Sequence, residues 1–569
     1  MNKSKTRGFA SRSEWNKVNW RKLEMTLFKL QKRIYRASQR GDVRVVRKLQ
    51  KTLTKSWTAK MIAVRRVTQE NKGKKTAGID GIKALTNRQR LALVAKLKIS
   101  KKAQPTRRVW IPKPGKTEKR PLGIPTMYDR ALQALAQQAV EPEWEAKFEP
   151  NSYGFRPGRS CHDAIEAIFI AISKKPKWVL DADIAKCFDK INHDALLTKL
   201  NTYPSMRRLI KSWLKAGVMD NKTFSSTEEG TPQGGVISPL LANIALHGME
   251  ERINKYAESM PGSKRANKQA LSLIRYADDF IITHQDHKVV EECQKVINKW
   301  LHDMGLELKP SKTKITHTFD GFNFLGFNIR QYKVGKNHSK QGFKTIIKPS
   351  KEKVLEHYGQ LSRVIDRHRA APQEALISNL KPIIRGWCNY YSSVCSKETF
   401  KKLGYMLWNK LRRWGNQRHP KKSRTWVTKK YWGTIGKDNW MFKTNEDNYL
   451  LKHAKTEIVR HVKVKETRSP YDGDLIYWST RMRKHPEMTT QKGRLLERQQ
   501  GKCAHCGLTF RDGDLLEKHH IIPRSIGGND LDKNLELLHL HCHDIKHRSK
   551  INTFAVGHPT RTELDENPF

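Results

Sequence analysis

Residues 271–282 read LSLIRYADDFII and place two adjacent carboxylates, Asp278 and Asp279, inside an otherwise apolar stretch. Burying a carboxylate without a compensating partner is costly, so two neighbouring carboxylates in such a setting indicate a bound cation. Magnesium is a suitable cation, because it takes oxygen ligands and is commonly held by carboxylates together with substrate phosphates. An Asp-Asp pair is also common in solvated turns, so its surroundings decide between the two interpretations.

The segments around this pair favour the metal site. Residues 273–276 and 280–283 are rich in β-forming side chains, which predicts a hairpin with the aspartates at its tip. Residues 178–184 (WVLDADI) predict a second strand with Asp181 and Asp183 on one face. Carboxylates from two strands can bridge two metal ions roughly 3.5–4 Å apart, which stabilise the attacking and leaving oxygens of an in-line displacement. The pattern therefore favours phosphoryl or nucleotidyl transfer.

Further motifs, taken in their order along the chain, resemble those of the reverse transcriptases encoded by group II introns. The similar segments are residues 107–116 (RRVWIPKPGK) and 120–125 (RPLGIP) in the fingers, and 183–189 (DIAKCFD), 230–239 (GTPQGGVISP), 308–313 (LKPSKT) and 324–327 (FLGF) in the palm. Each motif alone is a weak signal. Their shared order over nearly the whole chain is a strong one.

The resemblance implies a role for each of five palm residues. Asp183, Asp278 and Asp279 would be catalytic and hold two Mg²⁺ ions. Phe188 would place a bulky ring where it excludes a ribose 2′-hydroxyl, and Gln233 would lie beside the incoming deoxynucleotide. The neighbouring glycines suit that position, because they let backbone approach a nucleotide without a Cβ in the way.

The composition indicates a polyanionic partner independently of any motif. Lys and Arg total 111 against 55 acidic residues, a formal net charge of +56, which is more than solubility requires. Two of these cations, Lys113 and Arg120 in the fingers motifs, are suitable for neutralising the triphosphate of a bound nucleotide. In so basic a chain, a solvated or template-contacting role is the alternative for both. No apolar run approaches the roughly 18 residues of a membrane span.

The first part of the chain predicts a basic helical hairpin joined at Gly41-Asp42. Its apolar stripes are Leu23, Leu27, Leu30 and Ile34, then Val46, Leu49 and Leu53. The hairpin lacks the apolar core of a secretory signal, and its acidic residues disfavour a transit peptide. By resemblance it is the amino-terminal extension of the family, completed by residues 71–81, and it would bind RNA.

The chain changes character at about residue 345. An apolar stripe at helical spacing alternates with lysines and arginines, so one face of the helix packs while the other meets phosphate. Its members are Phe400, Leu403, Leu407, Leu411 and Trp414. Residues 380–391 (LKPIIRGWCNYY) resemble the signature of the maturase region, which serves as a polymerase thumb and helps intron RNA to fold for splicing. Residues 431–490 carry no defined motif; their position implies a DNA-binding segment, and a linker with some helix is the alternative.

Three of the eight cysteines cluster near two histidines, whereas the other five are scattered and indicate reduced thiols of an intracellular protein. Cys503 and Cys506 form one ligand pair, and His539 with Cys542 forms the second. This spacing matches a tetrahedral structural zinc site with three thiolates and one imidazole. His541 is the competing ligand, and helical spacing favours His539 because it lies three residues before Cys542.

The residues between these pairs resemble an HNH endonuclease, beginning with EKHHIIP at 517–523. By resemblance, His520 would be the general base that activates water and Asn534 would orient it. His519 and His543 would hold one divalent metal ion, which stabilises charge on the leaving 3′-oxygen. An imidazole suits the base because its ordinary pKa lies near neutral pH. A non-catalytic zinc finger is the alternative.

These observations predict a multidomain α+β protein with right-hand polymerase fingers and palm, a helical thumb, a basic DNA-binding segment and a small zinc-containing ββα-metal HNH domain. The expected boundaries are 1–85 for the amino-terminal extension, 86–340 for fingers and palm, 341–430 for the maturase thumb, 431–490 for the DNA-binding segment and 491–569 for the HNH domain.

The function implied by the resemblance is that of an RNA-directed DNA polymerase, RNA maturase and DNA endonuclease acting in target-primed retrohoming. Its expected partners are its own intron RNA, double-stranded target DNA and dNTPs, with no membrane, and its expected compartment is the bacterial cytoplasm or, alternatively, an organelle. Two competing hypotheses are a splicing factor with a decayed polymerase, and an RNA-dependent RNA polymerase or standalone reverse transcriptase. The intact Asp183, Asp278 and Asp279 disfavour the first, and the maturase-like and HNH-like segments disfavour the second.

Overall fold

The structure is a computed structural model that describes residues 15–99, 102–112, 118–220, 223–231, 233–446, 448–486, 488–510 and 514–554. The helices are α1 (Trp20–Gln39), α2 (Val43–Lys55), α3 (Trp57–Arg65), α4 (Asn87–Lys96), α5 (Met127–Glu145), α6 (Cys161–Ile172), α7 (Cys187–Lys190), α8 (His193–Leu200), α9 (Pro204–Leu214), α10 (Ser238–Ala245), α11 (Met249–Ser259), α12 (Lys264–Ala270), α13 (His287–His302), α14 (Lys351–Arg367), α15 (Gln373–Tyr391), α16 (Lys397–Arg418), α17 (Arg424–Tyr431), α18 (Leu475–Arg483), α19 (Thr490–Arg498) and α20 (Leu540–Phe554). The strands are β1 (Thr106–Pro112), β2 (Lys119–Ile124), β3 (Trp178–Asp183), β4 (Val218–Asp220), β5 (Thr223–Ser225), β6 (Ser272–Tyr276), β7 (Asp279–His284), β8 (Lys314–His317), β9 (Phe322–Phe324), β10 (Phe327–Lys333), β11 (Phe343–Pro349), β12 (Trp432–Ile435), β13 (Asp438–Phe442), β14 (Leu516–His520) and β15 (Leu535–His539).

The predicted amino-terminal helical hairpin is confirmed as α1 and α2. Gly41 has a φ of +73° at the reversal, and the Asp42 side chain caps α2 by accepting from the Val45 amide at 3.0 Å. Both apolar stripes face inward against α5, where Gln31 donates to the Gln138 carbonyl at 3.1 Å. The two helices therefore share one hydrophobic core with the fingers and palm.

The palm is a four-stranded sheet in the order β6-β7-β3-β8, with all its strand pairs antiparallel. Both sequence-predicted palm segments are confirmed, because β6 and β7 form the hairpin that carries the two aspartates and β3 is their neighbour. Side chains alternate across β7, so Phe280 and Ile282 join the core beneath α13 while Ile281 joins the core that faces the thumb. The sheet is buried on both faces.

The fingers form a separate sheet in the order β2-β1-β4-β5. Strands β1 and β2 pair as an antiparallel hairpin from Arg107 with Ile124 to Pro112 with Lys119, and β1 continues parallel to β4. The Gly123 amide donates to the Gln233 carbonyl at 2.6 Å, which joins this sheet to the loop before α10. The fingers hairpin is thereby anchored beside the palm.

The helices after the palm pack as predicted, with the apolar stripe of α16 buried against α14 and α17. The following segment is not an extended linker, since it contains the β12–β13 hairpin and contributes Leu450, Val464 and Trp478 to the same core. His453 of this segment lies 3.0 Å from His357 of α14, nitrogen to nitrogen. Among the described helices, none is long and apolar enough to cross a membrane.

The last unit has a small core of its own, formed by α19, the antiparallel pair β14–β15 and the start of α20. Its apolar members are few, and Cys503, Cys506 and Cys542 are buried among them. A core this small needs a further source of stability, which a bound metal commonly supplies.

Replacing Leu407 on the buried stripe of α16 by alanine is expected to destabilise the protein by about 2–5 kcal/mol through lost burial and a residual cavity. Leu407 is 4% exposed. The control is Tyr405→Ala on the same helix, where the side chain is 67% exposed and the expected loss is below about 0.5 kcal/mol. Denaturant unfolding of both variants measures the difference, and equal losses would contradict the packing of α16.

Candidate active sites

The turn between β6 and β7 is held by a close backbone approach. Ala277 has a φ of +59°, in the left-handed region that a non-glycine residue adopts only when its surroundings impose it. A Cβ placed on Gly154 would lie 2.3 Å from the Ala277 nitrogen, so only glycine allows this approach. The position of Asp278 and Asp279 thus depends on residue 154.

A buried guanidinium fixes the same turn from beneath. Arg275 is 1% exposed, and its Nη1 donates to the Ala277 carbonyl at 3.0 Å and to Oδ1 of Asn243 at 3.1 Å. Its Nη2 donates to Oγ of Ser152 at 2.7 Å. Asn243 in turn donates to the Gly154 carbonyl at 2.7 Å, so one network joins the turn and the glycine. Sequence reasoning missed this network, although an arginine inside LSLIRY was a visible signal.

The three predicted catalytic carboxylates come together at the edge of the palm sheet. Asp183 pairs directly with Asp279 in the β3–β7 register, and the Ile184 amide lies 3.3 Å from the Asp278 carbonyl. Burial, together with the charges of Asp278 and Asp183, raises the pKa of Asp279 to about 7. Burial and Asp183 also raise the pKa of Asp181 to about 6 and that of Asp278 in the same direction. These carboxylates repel one another, and a cation between them would relieve that repulsion.

Lys312 is the cation that the structure places among them, and sequence reasoning did not assign it a role. Its Nζ donates to Oδ2 of Asp183 at 2.5 Å, and its charge partly offsets the rise in the pKa of Asp278 and Asp279. The ligand atoms of Asp183, Asp278 and Asp279 do not all lie within 4.8 Å of one another in the described structure. A divalent ion bound to all three aspartates would therefore exchange with Lys312 at Asp183.

Three of the four residues predicted to contact the nucleotide, Phe188, Gln233 and Arg120, lie in the described part of the chain. Phe188 on α7 meets the ring of Phe155 edge-on, with the ring centroids 6.0 Å apart. Gln233 donates from Nε2 to Oδ1 of Asp189 at 3.2 Å, a partner that sequence reasoning missed although Asp189 ends the DIAKCFD motif. Arg120 is exposed on β2, and its charge offsets a small part of the rise in the pKa of Asp278. Lys113 lies outside the described residues.

The structure brings Cys503, Cys506, His539 and Cys542 together, with one ligand atom from each within 4.8 Å of the others. Nδ1 of His539 lies 3.4 Å from Sγ of Cys506, while its Nε2 lies 3.3 Å from the Asp514 carboxylate. A carboxylate on the second ring nitrogen is the usual way to orient a histidine ligand. Four buried donors of this kind fit a zinc ion.

The cluster contains His539, as predicted, but the helical spacing to Cys542 that favoured His539 over His541 was wrong. His539 is the last residue of β15 and α20 begins at Leu540, so helical spacing does not apply to it. His541 instead accepts a hydrogen bond at Nδ1 from Arg65, 2.7 Å away.

A second cluster unites His519 on β14 with His543 and His547 on α20. The Nε2 atoms of His543 and His547 are 3.1 Å apart, and burial lowers the pKa of His519 to about 4, so its lone pair is available at neutral pH. His519 and His543 were predicted to share one ion. His547 was missed, although its i, i+4 spacing from His543 on a helix was a usable signal.

His520 lies beside this cluster with a carboxylate partner of its own. Its Nε2 is 2.6 Å from Oδ1 of Asp530, and Arg524 bonds the same carboxylate. The hydrogen bonds of the Asn534 side chain go to backbone, since Oδ1 accepts from the Ile522 amide at 2.8 Å and Nδ2 donates to the Asn529 carbonyl at 2.8 Å. Asn534 thus closes the loop that follows His520.

Four family models match successive parts of this chain. The N-terminal domain of reverse transcriptase matches residues 15–97, and reverse transcriptase (RNA-dependent DNA polymerase) matches 111–329. The group II intron, maturase-specific domain matches 354–432, and HNH endonuclease matches 503–549. The last match spans both histidine and cysteine clusters.

Curated relatives match half or more of this chain. Protein YkfC of Escherichia coli (strain K12) is 33% identical over 326 residues, which cover 51% of this chain and 84% of that protein. Group II intron-encoded protein LtrA of Lactococcus lactis subsp. cremoris is 27% identical over 501 residues, covering 74% of this chain and 80% of that protein. An uncharacterized 91 kDa protein in the cob intron of Schizosaccharomyces pombe is 31% identical over 366 residues, covering 53% and 45%.

A polymerase palm, a maturase domain and an HNH unit on one chain define a nucleic-acid polymerase joined to a nuclease. The chain belongs to the family of group II intron-encoded reverse transcriptases and maturases, in the form that also carries an HNH endonuclease domain. It is an RNA-directed DNA polymerase, an intron maturase and a DNA endonuclease.

Gly154→Ala is expected to reduce RNA-templated primer extension by at least about ten-fold, because the new Cβ displaces the Ala277 turn and its two carboxylates. Gly335→Ala is the matched control, since a Cβ there meets nothing within 4 Å. Primer extension with Mg²⁺ and dNTPs compares the two variants. Normal synthesis by Gly154→Ala would contradict the close approach described above.

Proposed function

We propose that Asp183, Asp278 and Asp279 hold two Mg²⁺ ions and form the polymerising site. The observation that supports this most is the strand register that places Asp183 opposite Asp279, next to Asp278, where burial and the neighbouring carboxylates raise the pKa of Asp278 and Asp279. When bound, the ions would activate the primer 3′-oxygen and stabilise the leaving pyrophosphate. Lys312 would move from Asp183 toward the nucleotide phosphates as the ions bind.

The residues around the carboxylates would select a deoxynucleotide. The Phe188 ring, packed against Phe155, would exclude a ribose 2′-hydroxyl, and Asp189, which accepts from the Gln233 amide, would hold that side chain beside the incoming nucleotide. Arg120, already close enough to influence Asp278, would neutralise the triphosphate together with Lys113. dNTPs are the substrates that this arrangement fits.

His520 would act as the general base of the nuclease. The Asp530 carboxylate only accepts hydrogen bonds, so Nε2 of His520 carries the proton and Nδ1 offers the lone pair that takes a proton from water. Asn534 would fix the loop that sets this ring, and His519, His543 and His547 would hold one divalent ion. Bound there, the ion would stabilise charge on the 3′-oxygen that leaves.

Cys503, Cys506, His539 and Cys542 would hold a structural Zn²⁺ ion in the same unit. Their burial in a core with few apolar members supports a folding role, and the closed set of four donors leaves no position for substrate. Zinc binding and folding of the nuclease unit would therefore be coupled.

The complete protein would bind its own intron RNA and act on double-stranded target DNA as a ribonucleoprotein. The RNA would insert into one strand, the HNH unit would nick the other, and the palm would copy RNA from the new 3′ end. A net charge of +56 and the maturase domain support RNA binding. We assign the units to residues 1–85, 86–340, 341–430, 431–490 and 491–569, with the fourth as the DNA-binding segment and the bacterial cytoplasm as the compartment.

Asp278→Asn is expected to abolish RNA-templated DNA synthesis while leaving intron RNA affinity unchanged, because it removes one metal-binding charge and keeps the side-chain shape. Asp194→Asn is the control, with a carboxylate that is 80% exposed. Primer extension and RNA binding are measured on each variant. Loss of RNA affinity in Asp278→Asn would count against a metal site and in favour of a structural role.

His520→Ala is expected to lower the rate of DNA nicking by at least about 100-fold, the usual contribution of a general base, with primer extension unaffected. His338→Ala, at an exposed position on the loop between β10 and β11, is the control. Nicking of end-labelled duplex by the ribonucleoprotein gives the rate. A normal nick by His520→Ala would rule out this residue as the base.

A further inference from the structure

Arg65, the last residue of α3, joins the amino-terminal helices directly to the nuclease unit. Its Nη2 donates to Nδ1 of His541 at 2.7 Å, across a sequence separation of 476 residues. The same guanidinium bonds Oε1 of Glu24 at 3.2 Å and Oε1 of Glu70 at 2.8 Å. Its side chain is 8% exposed and covers the ring of Trp20 at 4.7 Å.

A buried guanidinium with this set of partners makes a specific contact. A buried charge is tolerated only when its hydrogen-bonding groups are satisfied, and removal of one partner leaves the others uncompensated. His541 is the third partner of the guanidinium, after the two glutamates. Its ring stacks on that of His539, with the ring centroids 5.2 Å apart. The contact therefore reaches the cysteine and histidine cluster without an intervening flexible segment.

The docked face of α20 is not its catalytic face. His541, Asp544 and Ile545 line a cleft together with Arg65 and Trp20. At 100° per residue, His543 and His547 lie about 200° and 240° around the helix from His541. The metal-binding histidines thus face away from the amino-terminal helices, so docking leaves them open to DNA.

We propose that Arg65 is a positioning residue for the nuclease, and that its contact with His541 determines which phosphodiester is nicked relative to the polymerase site. The inference rests on the proposed function of the HNH unit. The amino-terminal helices share one core with the palm, so a continuous packed path runs from the palm through α5 and α1 to Arg65. The contact with His541 extends that path to the nuclease unit.

The test maps the nick on end-labelled target duplex cut by the intact ribonucleoprotein. The wild-type complex is expected to nick at one position. Arg65→Ala is expected to nick at least about ten-fold more slowly, as for loss of one charged hydrogen bond, and at several neighbouring phosphodiesters. Primer extension should stay within about two-fold of wild type. Arg66→Ala, which removes the same charge from the next, exposed residue, should nick as the wild type does.

Variants of His541 separate positioning from folding. His541→Asn keeps an acceptor near the place of Nδ1 and should nick at the single wild-type position. His541→Ala should nick at several neighbouring phosphodiesters. The double variant Arg65→Ala with His541→Ala should be no worse than either single variant, because both remove the same contact. If Arg65→Ala also loses primer extension, the comparison of His541→Asn with His541→Ala decides between positioning and folding.

The inference is overturned if Arg65→Ala and His541→Ala both nick at the wild-type position and rate, or if His541→Asn spreads the nick as much as His541→Ala. A wild-type ribonucleoprotein that makes no nick at all would overturn the proposed nuclease function instead. The two failures are therefore distinguishable in one experiment.

Discussion

The turn that carries Asp278 and Asp279, the proposed polymerising site, depends on the buried guanidinium of Arg275. Two adjacent carboxylates in an apolar hairpin repel each other, and the turn that carries them holds Ala277 in a left-handed conformation. Arg275 bonds the Ala277 carbonyl and ties it to Asn243, which in turn holds Gly154 against the turn. The strained turn persists because both Nη atoms of the buried guanidinium are hydrogen-bonded within this network.

The nuclease unit also depends on a cluster of buried polar side chains. The apolar core described for it is small, and three of its buried side chains are cysteines that converge with His539. The fold thus places a structural cluster at one end of α20 and three further histidines along it. Both units gather groups that could hold a cation, carboxylates in the palm and nitrogen and sulfur in the nuclease, which is the division that magnesium and zinc prefer.

The sequence predicts those parts of the molecule that depend on local periodicity. A period of two in the apolar residues identifies β3, β6 and β7, and a period of 3.6 identifies α1, α2 and α16. Burial of one face of an element sets this spacing of apolar residues. Short ligand spacings also place Cys503 beside Cys506. The side-chain partners of Arg275, Asn243 and Ser152, lie 32 and 123 residues away, and His541 lies 476 residues from Arg65, so no local pattern encodes these contacts. The prediction of His539 assumed that this residue lies on a helix. The helix α20 begins one residue later, because β15 and α20 meet without a loop.

The central claim is that Asp183, Asp278 and Asp279 bind catalytic metal ions on a turn fixed by Arg275. Anomalous scattering from Mn²⁺ in crystals of the protein with an RNA template, a DNA primer and a dNTP tests it most directly. We expect manganese peaks between the three carboxylates, with Lys312 displaced from Asp183 and the Ala277 turn unchanged. Manganese bound elsewhere, with Lys312 still on Asp183, would contradict this account.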